Sequence, residues 1–337
     1  MRTAQTTYRV AFGYMTLTTL VWLFLNLTGI DGGLFFKDYR VTGELLIRLA
    51  VGFLVFWIGW SWVFYRLKRA LLRRAGLDDA ALTRVFSSRL ADFQLDTLIE
   101  PYSERAIRIA DMVGRRGRTA AVVFMGFYFV AKGIGAEPTP ESLALGLESN
   151  LLEGMIFAWW SLLTFHSDGI LGRIHYGAQA RVMDGVLGRA NALCIGTLWH
   201  GFKFAMIPIG FRLAAVYPPE TYSVVFALVW FSYLSCDFAS EIIGSLFGKQ
   251  TIQVWGLGDV NRKSVAGTMA GFVAALSVST LIVYANDLAP TWYALALALA
   301  VNSTLLELYS PRGTDDFTMA TGNALVCWAF GALILAA

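Results

Sequence analysis

The residues best suited to chemistry begin at Asp237, near the end of a long apolar run. On a helix, Asp237, Glu241, Gly244 and Gly248 fall within a stripe about 60° wide, at 100° per residue. Two carboxylates one turn apart on a single face repel each other and require a cation, either a lysine or Mg²⁺. Gly244 and Gly248 have two uses on such a stripe: close approach of another helix, or approach of a bound group to the backbone. Ser240 and Lys249 lie beside them.

A second cluster follows at Arg262, Lys263, Ser264, Ala266, Gly267 and Thr268, immediately before the next apolar run. Lysine, hydroxyls and glycine at a helix N-terminus suit phosphate, because free N–H groups and the positive end of the dipole face the same way. The Gly-x-x-x-x-Gly-Lys-Ser/Thr loop of nucleotide-hydrolysing enzymes is absent. A third cluster is Glu307, then Asp315, Asp316 and Thr318 after a short polar turn. Three charged clusters thus recur at the same kind of boundary, the ends of apolar runs.

Those runs must be membrane spans. Of 337 residues 56% are hydrophobic and 15% charged, against about 25% charged in ordinary soluble domains. Nine runs have the length that crosses a bilayer as helix: 10–28, 44–65, 119–136, 150–166, 191–212, 222–240, 264–285, 291–308 and 319–336. With the N-terminus inside, 21 lysines and arginines fall in cytoplasmic segments and two, Lys37 and Arg40, in outer loops. That asymmetry fixes the orientation and puts all three clusters on the cytoplasmic side. The expected architecture is an all-α polytopic bundle. Residues 1–118 form two spans plus a basic cytoplasmic segment, and 119–337 form a seven-helix domain.

A net charge of +3 and three cysteines in or beside apolar runs exclude a nucleic-acid binder and a disulfide scaffold. The basic segment 66–118 interleaves charges with Leu82, Phe86, Leu90 and Ile99, which fits either helices lying on anionic lipid or a small solvated helical hairpin. Glu44 and Arg48 are spaced as a same-face ion pair. His200 and Lys203 share a face of the fifth span, where they suit a phosphate or a carboxylate such as Glu153. The spacing of His166, His175 and His200 fits no zinc pattern.

The series Asp237-x2-Ser240-x3-Gly244-x3-Gly248-Lys249, Lys263-Ser264-x2-Gly267-Thr268, Glu307, Asp315-Asp316 and Thr318 resembles the family of dolichol kinases, phytol kinases and the CTP-dependent diacylglycerol kinase. It is more distantly similar to phosphatidate cytidylyltransferases. The resemblance covers residues 233–326. It implies Mg²⁺-dependent transfer of the γ-phosphoryl group of CTP to the hydroxyl of a lipid alcohol, at the cytoplasmic face of a membrane such as the bacterial one. Asp237, Asp315 and Asp316 would then serve the metal, while Ser240, Gly244, Gly248, Lys249, Lys263, Ser264, Gly267 and Thr268 line the nucleotide. Glu241 or Glu307 would hold the acceptor hydroxyl. Ala266, Phe317 and Ala320 depart from the family, which usually has Glu, Asn and Pro there. A CDP-lipid-forming cytidylyltransferase and a non-enzymatic transporter are the competing readings; a transporter would string its polar residues through the midplane.

The charge asymmetry carries an expectation of its own. Single cysteines introduced at Val85, Val260 and Thr314 should react with impermeant reagents only from the cytoplasmic side, and labelling of any one from outside intact cells would reverse the topology.

Overall fold

The structure is a computed structural model that describes residues 2–28, 51–86, 103–120, 140–167, 169–182, 187–255, 260–310 and 314–335. The Glu44/Arg48 pair and most of the 119–136 span lie outside these residues. The chain divides into two compact units, Met1–Gly135 with Ser149–His200, and Ala136–Glu148 with Gly201–Ala337.

In the first unit, α1 (Arg2–Thr28) is followed by α2 (Trp60–Arg74), which continues a π-helical turn at Phe53–Gly59. Then come α3 (Asp79–Phe86), α4 (Glu104–Met112) and α6 (Ile170–Gln179), while α5 (Pro140–Thr164) and α7 (Leu187–Ala214) each have residues in both units. In the described part of the basic segment, the apolar positions Leu72, Leu82, Ile107 and Ala110 close a small core with Ile174 and Ala178 of α6. Within it, Lys68 is fully buried, 2.8 Å from Asp111, and donates to Ala180 O at 2.6 Å. Asp111 also accepts from the Val182 amide. A paired, fully bonded lysine is the form in which a charge tolerates burial.

The second unit contains the three described helices long and apolar enough to cross a membrane, within α8 (Pro219–Phe247), α9 (Val265–Ala285) and α10 (Trp292–Tyr309). They are followed by α11 (Asp315–Phe330). The expected all-α character holds apart from an antiparallel hairpin, β1 (Thr251–Trp255) and β2 (Val260–Ser264), in which Ile252 faces Lys263 in register. A second difference is that the sixth span does not end at 240. With no proline after Pro219, α8 runs unbroken to Phe247 and stops at Gly248, whose amide bonds to Gly244 O. Asp237 and Glu241 are therefore helical residues.

Glycine sets the distance between α8 and α9. A Cβ on Gly267 would lie 2.6 Å from Ser240 O and 3.1 Å from Gly244 Cα; one on Gly271 would lie 3.0 Å from Cys236 O. Bare backbones meet there, as in small-residue membrane contacts. Deeper in the bundle, Asn323 of α11 donates to Ser232 Oγ at 2.7 Å on α8 and to Ser303 Oγ at 2.9 Å on α10, and accepts from Asn302 at 2.8 Å. Without water to compete, this fully buried amide ties three helices together.

Gly267→Ala should lower the thermal midpoint in detergent, because overpacking a tight contact costs about 1–3 kcal/mol. Gly13→Ala should leave it unchanged or raise it, since nothing lies within 4 Å of a Cβ at that helical position. Equal behaviour of the two variants would show that the seam yields.

Candidate functional site: a carboxylate trio clamped by one lysine

Four elements deliver the polar groups of the site. The helix α8 carries Asp237, β2 carries Lys263 one residue before its end, α10 carries Glu307 near its last turn and α11 begins with Asp315. Carboxylate oxygens of Asp237, Glu307 and Asp315 all lie within 4.8 Å of one another. Asp237 and Glu307 are buried. The Lys263 ammonium lies 2.5 Å from Glu307 Oε1, with about a fifth of its side chain exposed. Burial works against the Lys263 ammonium, yet Glu307, Asp315 and Asp237 outweigh it and hold its pKa above the ordinary lysine value.

The hairpin is what brings Lys263 to these acids. Its return strand runs directly into α9, where Ser264 is N-cap and its Oγ accepts from the Gly267 amide at 3.0 Å. The Val265 amide bonds to Gln250 O, and Thr268 Oγ1 donates to Ser264 O. Asp315 and Asp316 occupy the first turn of α11, where the helix dipole favours negative charge. Thr318 Oγ1 lies 2.5 Å from Ser310 Oγ, bracketing the turn between α10 and α11.

Gly244, Gly248 and Gly267 sit where the end of α8 meets Ser264 and the start of α9. A Cβ on Gly244 would lie 2.7 Å from Ser264 Oγ, and one on Gly248 2.6 Å from Ser264 Cβ, so protein fills that space. The Gly267 amide, expected to be free for phosphate, is taken by the cap. The trio contains Glu307, one of the two acids to which the resemblance gave the acceptor hydroxyl, while Asp316 and Glu241 are not among its three members. Lys249 is exposed beyond the end of α8, and Ser240 is buried against α9. The Asn323 network was not anticipated; its signal was an asparagine inside each of two apolar runs, Asn302 and Asn323.

The trio has the chemistry of a hard-cation site. Three carboxylates face one ammonium, and Glu307 Oε2 is buried with no hydrogen-bond partner. An orphaned carboxylate oxygen next to two further carboxylates is matched by an oxygen-seeking divalent ion. The residues therefore fit Mg²⁺.

The chain is 29% identical over 139 residues to the phytol kinase of Synechocystis sp., a stretch that is 41% of this chain and 52% of that protein. The chain thus spans about half the length of the curated relative it matches. No family model matches, and neither does any solved structure.

The ion pair makes a stability prediction. Lys263→Met should cost ~2–3 kcal/mol, less than the ~3–5 of a fully buried pair because the lysine keeps some exposure. A Lys263→Met variant with the thermal midpoint of wild type would show that the pair does not stabilise the fold.

Proposed function

We propose that the second unit is a Mg²⁺-dependent lipid kinase that moves the γ-phosphoryl group of CTP to the hydroxyl of a membrane alcohol, a polyprenol, a phytol-like isoprenoid or diacylglycerol. The observation that carries this reading is the Asp237–Glu307–Asp315 trio with Lys263 clamped to it, at one end of a bundle of apolar helices. The partial likeness to a phytol kinase points the same way. Phosphoryl transfer needs mainly positioning and charge neutralisation, which suits a site made of carboxylates and one lysine.

In this reading Asp237, Asp315 and Glu307 Oε2 would hold the cation, with Asp316 adding negative charge from the next position on α11. Bound there, Mg²⁺ supplies neutralisation of the phosphate oxygens. Lys263 is kept charged by its carboxylate neighbours and reaches a phosphate oxygen from its place beside Glu307. Glu241, one turn beyond Asp237 on α8, takes the proton of the lipid hydroxyl. The hydroxyl oxygen bonds to the γ-phosphorus, the bond from that phosphorus to the bridging oxygen breaks, and lipid phosphate and CDP leave. The apolar walls of α8 to α10 let an acceptor with a long hydrocarbon tail reach the site from the bilayer.

Purified protein supplied with labelled CTP or ATP, Mg²⁺ and a panel of lipid alcohols should form lipid phosphate with CDP as co-product. Asp237→Asn and Lys263→Ala should each reduce turnover by at least ~100-fold while remaining folded, the scale of losing one charge-stabilising group. Arg262→Ala should have little effect. Release of pyrophosphate would instead make the enzyme a cytidylyltransferase, and near-normal phosphorylation by both site variants would place the chemistry elsewhere.

A further inference from the structure

Lys263 stands where a divalent ion would also have to come. Its ammonium lies 2.5 Å from Glu307 Oε1, and Glu307 is one of the three acids whose carboxylate oxygens lie within 4.8 Å of one another. The second oxygen of the same carboxylate, Oε2, is buried and has no hydrogen-bond partner among the described residues. One carboxylate thus presents an occupied oxygen and an open one, bonded to the same carbon. A divalent ion drawn to Oε2, Asp237 and Asp315 would share Glu307 with the lysine, and like charges that close repel strongly at a buried site.

The lysine cannot withdraw by moving its backbone. On the hairpin it pairs with Ile252, and the residues after it are tied down as well: Ser264 caps α9 by accepting from the Gly267 amide, and the Val265 amide bonds to Gln250 O. Only its side chain can adjust, and about a fifth of that is exposed. What relieves the repulsion is negative charge between the two cations. A triphosphate chain brings oxygens for both, one to the ion and another to the ammonium, in charge-assisted contacts. A bare ion brings positive charge alone.

We propose that Lys263 makes the trio selective for a divalent ion that arrives with an anionic phosphate chain, antagonising the bare ion and attracting the metal–triphosphate complex. The inference rests on the proposed kinase reading in that the trio holds Mg²⁺, and it gives the lysine a second task beyond contacting phosphate. Metal and nucleotide then bind as a coupled pair, each raising the affinity for the other by the same factor. A lysine that only touched phosphate would be indifferent to the bare ion. One that only held the helices together would, when lost, loosen the site for every ligand. Antagonism alone gives changes of opposite sign.

The test is ligand binding by the full chain in detergent. Bare Mn²⁺ is followed by electron paramagnetic resonance, with Mg²⁺ as competitor; β,γ-methylene CTP and inorganic triphosphate, each with Mg²⁺, are the metal–triphosphate probes. Lys263→Met should bind bare Mn²⁺ at least ~10-fold more tightly than wild type, and the metal–triphosphate probes at least ~10-fold more weakly, within the usual range of such couplings. Lys263→Arg keeps the charge and should keep the weak affinity for bare Mn²⁺, whereas Asp237→Asn should weaken binding of both kinds. Mg²⁺ should also raise the thermal midpoint of Lys263→Met more than that of wild type, because the ion then supplies the charge that the lysine gave. Bare-ion affinity that is unchanged or lower in Lys263→Met overturns the antagonism, and leaves the kinase reading standing if Asp237→Asn still abolishes Mn²⁺ binding. Shifts of opposite sign in a protein that phosphorylates no lipid keep the inference and remove the kinase. A Lys263→Met chain that stays unfolded in saturating Mg²⁺, or absence of Mn²⁺ binding from every chain, overturns the inference as well.

Discussion

Three carboxylates within 4.8 Å of one another cannot be held together at the end of an apolar bundle unless cations offset their repulsion. Lys263 supplies one such charge, and much of the second unit follows from the need to bring it there. The α8–α9 connection folds back as a hairpin, and its second strand carries Lys263 toward Glu307 before turning into α9 at the Ser264 cap. A simple coil would leave a long flexible side chain to find its partner at an entropic cost. The hairpin fixes its backbone in register with Ile252.

Helix spacing is the other requirement. The backbone seam at Gly244, Gly267 and Gly271 draws α8 and α9 together, and the Asn323 network joins α8, α10 and α11 further along. One device works by removing side chains, the other by adding a polar one. Both suit an apolar medium, where hydrophobic burial between helices gives little preference and contact quality decides. Together they set the separation of the helices that carry Asp237, Glu307 and Asp315.

Lysine and arginine are buried in different ways in this chain. Lys263 and Lys68 each meet a carboxylate at close range, so each burial is balanced by charge and hydrogen bonds. Arg118 meets aromatic rings and a serine hydroxyl. A guanidinium is more weakly hydrated than an ammonium and stacks on aromatic faces, which makes arginine the residue that tolerates such a place.

Composition and hydrophobic run lengths by themselves determined the helical, membrane-spanning class, because span length is set by bilayer thickness and needs no partner. Residue types and spacing also picked out Asp237, Lys263, Glu307 and Asp315, since charges beside apolar runs are conspicuous. What sequence could not decide was the use of each. Gly244 and Gly248 share a stripe with two acids whether they admit a ligand or a helix, and only the position of Ser264 shows that the space is filled. Glu307 rather than Asp316 joins the trio because the end of α10 and the start of α11 are placed by packing, which local spacing does not encode. The hairpin likewise was hidden in a short polar connection, and the pairing of Lys68 with Asp111 joins residues more than forty positions apart. Periodicity is local and survives reading one residue after another; convergence of charges is a property of the folded chain alone.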